Sequence, residues 1–162
     1  MARPSRCAPR LRDNERVADL VPEHVLVLYE NSRRGAAAVR QAAAVAPTNA
    51  RLTVVTVAVT ESADAKCCDT RAGYWNGVVQ ELADADLDRA RSLIEGRSTA
   101  EFKVLTGQSV LAAMTLEAQQ SGANMVVVPC GRGIHPWFRA RRARRLQRRT
   151  ADAVVVVTPS AV

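Results

Sequence analysis

From His24 onward, short uninterrupted apolar runs alternate with longer segments of helical periodicity, and this alternation is the main structural signal in the chain. Val25-Leu26-Val27-Leu28, within the run 24–29, shows no polar alternation, as expected of a strand buried on both faces. Glu30-Asn31-Ser32 then reads as a turn and helix cap. Ala36, Val39, Ala43 and Ala46 recur at helical spacing through 33–46, and Pro47 stops the helix. The β-branched run 52–59 predicts a second strand. Residues 60–77 are polar and contain two glycines and two cysteines, so they read as a functional lid or a variable insert. An amphipathic helix is expected over 78–94, with Val78, Val79, Leu82, Ala85, Leu87 and Ile94 marking its apolar side. A short strand at 102–105 leads through Gly107-Gln108-Ser109 into a helix at 110–120, which Gly122 ends. The fourth strand, 125–128, runs into Pro129-Cys130-Gly131-Arg132-Gly133. Pro136 suits the first turn of a helix reaching about Arg149, and 153–157 reads as a fifth strand.

Fully apolar strands alternating with helices predict an α/β fold: a single doubly wound, five-stranded parallel sheet sandwiched by helices, of the Rossmann-like kind. Residues 1–22 hold three prolines, five arginines and little periodicity, and read as a basic, disordered tail. Residues 23–162 read as one domain, and a chain of 162 residues suits one domain better than two. In such sheets ligands bind beyond the carboxyl ends of the strands, where the winding direction reverses. With the first and fourth strands at that point, the candidate site lies between Glu30-Asn31-Ser32 and Pro129–Gly133. Gly131 and Gly133 would let the backbone approach a phosphate, and the next helix offers its N-terminal amides to an anion; the same glycines also serve the turn itself.

Charge adds a local feature. The net charge is +7, and Gly131–Thr150 contains Arg132, Arg139, Arg141, Arg142, Arg144, Arg145, Arg148 and Arg149 with no acid. The rest of the chain is therefore slightly acidic. Trp137, Ala140, Ala143 and Leu146 form a narrow stripe able to pack on the sheet, leaving mostly guanidinium on the other faces of the helix. Two readings stay open there: a solvated face enriched by an arginine-favouring composition, since Lys66 and Lys103 are the only lysines, or a surface facing an anionic ligand, nucleic acid or acidic partner. The basic start, Met1–Arg12, is followed by no apolar segment before Arg16, and no run approaches the ~18 apolar residues of a membrane span. A cytoplasmic protein is expected. Cys67 and Cys68 read as incidental loop thiols or as a redox-active pair, and the four cysteines with His24 and His135 make no metal-ligand pattern, so no metal is expected. Cys130 and His135 are near in sequence but span a turn that seldom aligns a thiol–imidazole pair, and no catalytic residue is assigned.

The chain resembles the universal stress protein (UspA domain) family over about 24–158. Val25-Leu26-Val27-Leu28-Tyr29-Glu30-Asn31-Ser32 is similar to that family's opening strand ending in Asp-Gly-Ser. Leu52–Val57 resembles its second strand, and Gly107-Gln108-Ser109 its Gly-x-Pro helix start. Ala123–Val128 resembles its Ala-Asp-Leu-Ile-Val-Met, and 150–157 its closing segment. Nucleotide-binding members of the family carry Gly-x-x-Gly after the fourth strand, then nine residues, then Gly-Ser or Gly-Thr. Here the first glycine falls on Pro129, the second on Arg132 between Gly131 and Gly133, and the final pair on Ala140-Arg141. Glu30 stands where the family has the Asp that contacts the nucleoside, while Ser32 and Val57 match.

The resemblance implies a cofactor site, if one exists, at Glu30, Asn31, Ser32, Val57, Val128, Gly131, Arg132, Gly133 and Arg141, with ATP or AMP as the ligand. The altered phosphate loop argues against the family's usual ATP binding. The leading expectation is thus a non-enzymatic, stress-related or regulatory binding module. One alternative is an adenine-nucleotide binder or slow ATPase in which Arg132 and Arg141 replace glycine contacts. Another is a nucleic-acid or anion binder working through the helix 136–149. The resemblance also implies a homodimer formed through the last strand, an apolar strand that would otherwise be an exposed edge.

Overall fold

The computed structural model describes residues 21–61, 69–94, 99–129, 145–150 and 154–158. The elements are β1 (His24–Leu28), α1 (Arg33–Val45), β2 (Arg51–Val59), α2 (Asp69–Ser92), β3 (Ala100–Gly107), α3 (Val110–Ser121), β4 (Met125–Pro129) and β5 (Val154–Thr158), with a further helical turn at 145–149. All strand pairs are parallel, in the order β3-β2-β1-β4-β5. The winding direction therefore reverses between β1 and β4, as the sequence predicts.

Both faces of the sheet are covered. Val25 and Val27 of β1 pack with Leu52, Val54, Val127 and the α1 residues Ala38, Val39 and Ala42, joined by Ala90 of α2. On the other face Leu26 and Leu28 pack with Val55, Val126, Ala113 and Met114 of α3, and Leu146. This two-sided burial explains why β1 shows no polar alternation: each of its five residues is buried. Burying each Val or Leu contributes about 1.5–3 kcal/mol. The alanines of α1 let that helix lie close to the sheet. Ser109 caps α3 by accepting a hydrogen bond on its hydroxyl from the Ala112 N–H at 3.2 Å, and Gly122 ends it with φ 66°, a left-handed conformation that favours glycine.

The polar flank of β1 is also structural. The His24 ring is buried, with Nδ1 3.0 Å from the Ser121 carbonyl and Nε2 2.8 Å from the Thr53 hydroxyl. A carbonyl can only accept, so Nδ1 carries the hydrogen and Nε2 accepts from Thr53. The backbone N–H of His24 donates to Asn124 Oδ1 at 3.1 Å, which ties the start of β1 to the turn before β4.

Three expectations need correction. Asp69–Gly77 belongs to α2 and is not loop. Gly73 and Gly77 have open space around them, so they mark no turn or close approach. The face of α2 that packs on the sheet is built from Ala83, Leu87 and Ala90, whereas Leu82 is 60% exposed and Ala85 is exposed as well. Small side chains at 83 and 90 bring the helix close; larger ones would hold it away. β3 also runs longer than 102–105, because it pairs with β2 along Leu52–Val59. Residues 1–20, the cysteines at 67, 68 and 130, and the arginine segment as far as residue 144 lie outside the described residues.

Candidate functional site

The carboxyl end of β1 is fixed by its own backbone. Tyr29 N–H donates to Val55 O at 2.7 Å, and Ser32 N–H donates to Glu30 O at 2.6 Å, folding Glu30-Asn31-Ser32 into a tight turn. The Ser32 hydroxyl accepts from Gly35 N–H at 3.0 Å and caps α1. Glu30 and Asn31 are left exposed at the rim.

Beside this turn lies a cavity of about 520 Å³, within the range of small-molecule sites. Its floor is the carboxyl end of β2 from Thr56 to Val59 with Leu28 and Tyr29, and α2 forms one wall through Trp75, Val79, Leu82, Ala83 and Asp86. Two contacts hold that wall in place. The Thr56 hydroxyl donates to Ala83 O at 3.1 Å, and the Asn76 side-chain amide bonds both Glu61 N–H (2.9 Å) and Glu61 O (3.2 Å).

The polar groups around the cavity are distinctive. Glu30, Glu61 and Asp86 line it, and no Lys or Arg does so among the described residues. Asp86 Oδ1 accepts from Arg89 at 2.9 Å on the adjoining turn of α2. Tyr29 is only 6% exposed yet lines the cavity; burial and the nearby Asp86 carboxylate both raise its phenol pKa. Val55 O faces β1, and the alternation of a parallel strand turns the Val57 N–H and C=O the same way, where β1 has already ended. One donor and one acceptor are thereby presented side by side to the cavity.

The residues expected at the site divide into three groups. Glu30, Asn31 and Val57 line the cavity. Ser32 serves as the cap of α1, and Val128 packs against the core cluster of Leu26 and Met114. Gly131, Arg132, Gly133 and Arg141 lie outside the described residues. Of the arginine segment, Arg145, Arg148 and Arg149 are exposed while Leu146 is buried at 2% exposure. Tyr29, Trp75, Leu82 and Asp86 were not singled out for the site by sequence. Asp86 looks like a solvated helix residue until α2 is seen to carry it to the cavity. Among the described residues no three His, Cys, Asp or Glu side chains cluster to hold a metal, and no helix is long and apolar enough to cross a membrane.

A parallel sheet wound in the order β3-β2-β1-β4-β5, with a cavity at its carboxyl edge, defines a Rossmann-like α/β domain. Compared with solved structures, the fold is that of the universal stress proteins. A universal stress family protein from Burkholderia pseudomallei superposes with a TM-score of 0.63 at 20% identity, covering 85% of this chain and 96% of that one. A universal stress protein in complex with cAMP gives 0.55 at 21% identity, covering 88% and 100%. A family protein from Arabidopsis thaliana with AMP bound gives 0.54 at 14% identity, covering 87% and 94% of the respective chains. The sequence matches no family model and no curated protein.

Proposed function

We propose that this chain is a non-enzymatic regulatory module that binds an adenine nucleoside monophosphate, AMP or cAMP, in the cavity beneath α2. The observation that carries this reading is the cavity itself. Its apolar walls suit a base, the paired N–H and C=O of Val57 suit the edge of an aminopurine, and the rim carboxylates suit sugar hydroxyls. The fold shared with proteins bound to cAMP and to AMP supports it. A triphosphate is disfavoured because Pro129, at the end of β4, has no N–H to offer where the family's motif places a glycine. Losing one hydrogen bond to a charged oxygen costs about 1.5–3 kcal/mol, or roughly tenfold or more in affinity.

Three associated proposals follow from the same reading. The module acts in a cytoplasmic stress response, which the universal-stress fold supports. It forms a homodimer through β5, which stands at one edge of the sheet and, among the described residues, pairs with β4 alone. The arginine segment faces an anionic partner, a view supported by the exposure of Arg145, Arg148 and Arg149. Calorimetric titration with AMP, cAMP and ATP tests the main reading. The expected result is saturable 1:1 binding of AMP or cAMP with ATP about tenfold weaker. ATP binding more tightly than both would overturn it.

A further inference from the structure

Along α2, Trp75, Val79, Leu82 and Asp86 follow one another at intervals of four, three and four residues, so they share one helix face, and all four line the cavity. This face adjoins the one that packs on the sheet through Ala83, Leu87 and Ala90, with Ala83 common to both. Trp75 is 47% exposed and Leu82 is 60% exposed, although both are large apolar side chains that line the cavity. Such a stripe is what a flat, apolar-faced ligand would cover. It ends in a carboxylate, Asp86, whose Oδ1 is taken by Arg89, next to the buried Tyr29 ring, whose hydroxyl makes no hydrogen bond to a described residue.

We infer that α2 supplies the base-recognition wall: Trp75 stacks on the ligand's heteroaromatic ring, while Asp86, about three helical turns further along and beside Tyr29, receives a sugar hydroxyl. This inference rests on the nucleotide reading above and deepens it by naming the residues that select the ligand. It also makes the base, and not the phosphate, the main determinant of affinity at this cavity. The charged groups lining the cavity are Glu30, Glu61 and Asp86, so its described walls attract donors and gain nothing from added negative charge.

The test is calorimetric titration of AMP, adenosine and ribose 5-phosphate into the full chain and its variants Trp75→Ala and Trp75→Phe, with thermal melts as the folding control. Trp75→Ala is expected to weaken both AMP and adenosine ~10- to 100-fold, the range produced by losing one base–aromatic stack. Trp75→Phe should retain most of the affinity because it keeps an aromatic face. Ribose 5-phosphate should bind far more weakly than adenosine. If wild type binds AMP but Trp75→Ala binds it within about twofold, the stacking role is overturned and the nucleotide reading stands; stacking worth 1–3 kcal/mol cannot hide in so small a change. If wild type binds neither AMP nor adenosine, both fall. Binding of ribose 5-phosphate as tightly as AMP would also overturn the base-first order.

Discussion

The α-carbon of Gly35 lies so close to the backbone of Glu30 that a β-carbon there would overlap the Glu30 carbonyl oxygen and stand 2.8 Å from the Glu30 carbonyl carbon and nitrogen. The first turn of α1 is thereby locked onto the strand end that forms the cavity rim. Gly35→Ala must push two stretches of backbone apart, so it is expected to destabilise the protein by about 1–3 kcal/mol or more. Gly73→Ala is the contrasting case: nothing lies within 4 Å of a β-carbon at that helical position. That change should stabilise by about 0.5–1 kcal/mol. Urea denaturation of the two variants checks both signs.

Ser32 is expected to act on stability and not on the ligand. Its hydroxyl is occupied by Gly35 N–H, so Ser32→Ala should cost about 1 kcal/mol through loss of the α1 cap. AMP affinity, measured by titration of the same variant, should stay within about twofold, because 1 kcal/mol lost from folding is not lost from binding. A larger loss of affinity would put the hydroxyl in the binding site after all.

His24 predicts an acid limb in the stability curve. Burial lowers its pKa below 6.5, against the opposing effect of the Ser121 carbonyl, and Arg51 lowers it further. A His pKa lower in the folded state than in the unfolded state means that unfolding takes up a proton between the two values. Stability is therefore full above about pH 6.5 and falls as the pH drops toward the folded value. Glu101, held below its usual range by the Arg51 hydrogen bond, adds a second loss only below about pH 4.5. Melting temperatures measured from pH 7.5 to 5 should fall in wild type and stay flatter in His24→Gln. Equal slopes would contradict the assignment.

Most of the fold was legible because its signals are local. The unbroken apolar run of β1, the Ser32 and Ser109 caps and the Gly122 stop each act within a few residues. The start of α2 was not legible: Asp69–Gly77 is polar and contains two glycines, and its stripe from Trp75 faces a cavity instead of the core. The core face of α2 was misread for a related reason. Ala83 and Ala90 carry the close packing, while the larger Leu82 that dominates the periodicity faces outward. At the site, Glu30, Asn31 and Val57 were legible from the end of a strand and the resemblance. Tyr29, Asp86 and Trp75 were not, because only the crossing of α2 over the sheet brings residues nearly sixty positions apart to one cavity. The His24–Thr53–Ser121 contacts were hidden likewise, since the partners lie 29 and 97 residues away.

The proposed nucleotide site lies between the ends of β1 and β2 and the Trp75 face of α2. Amide chemical-shift mapping with AMP tests it most directly. Saturable shifts are expected at Asn31, Val57, Ala58, Val59 and Trp75, with little change around His24 at the opposite end of the sheet. Shifts confined to Arg145, Arg148 and Arg149, with Val57 and Trp75 unmoved, would contradict it.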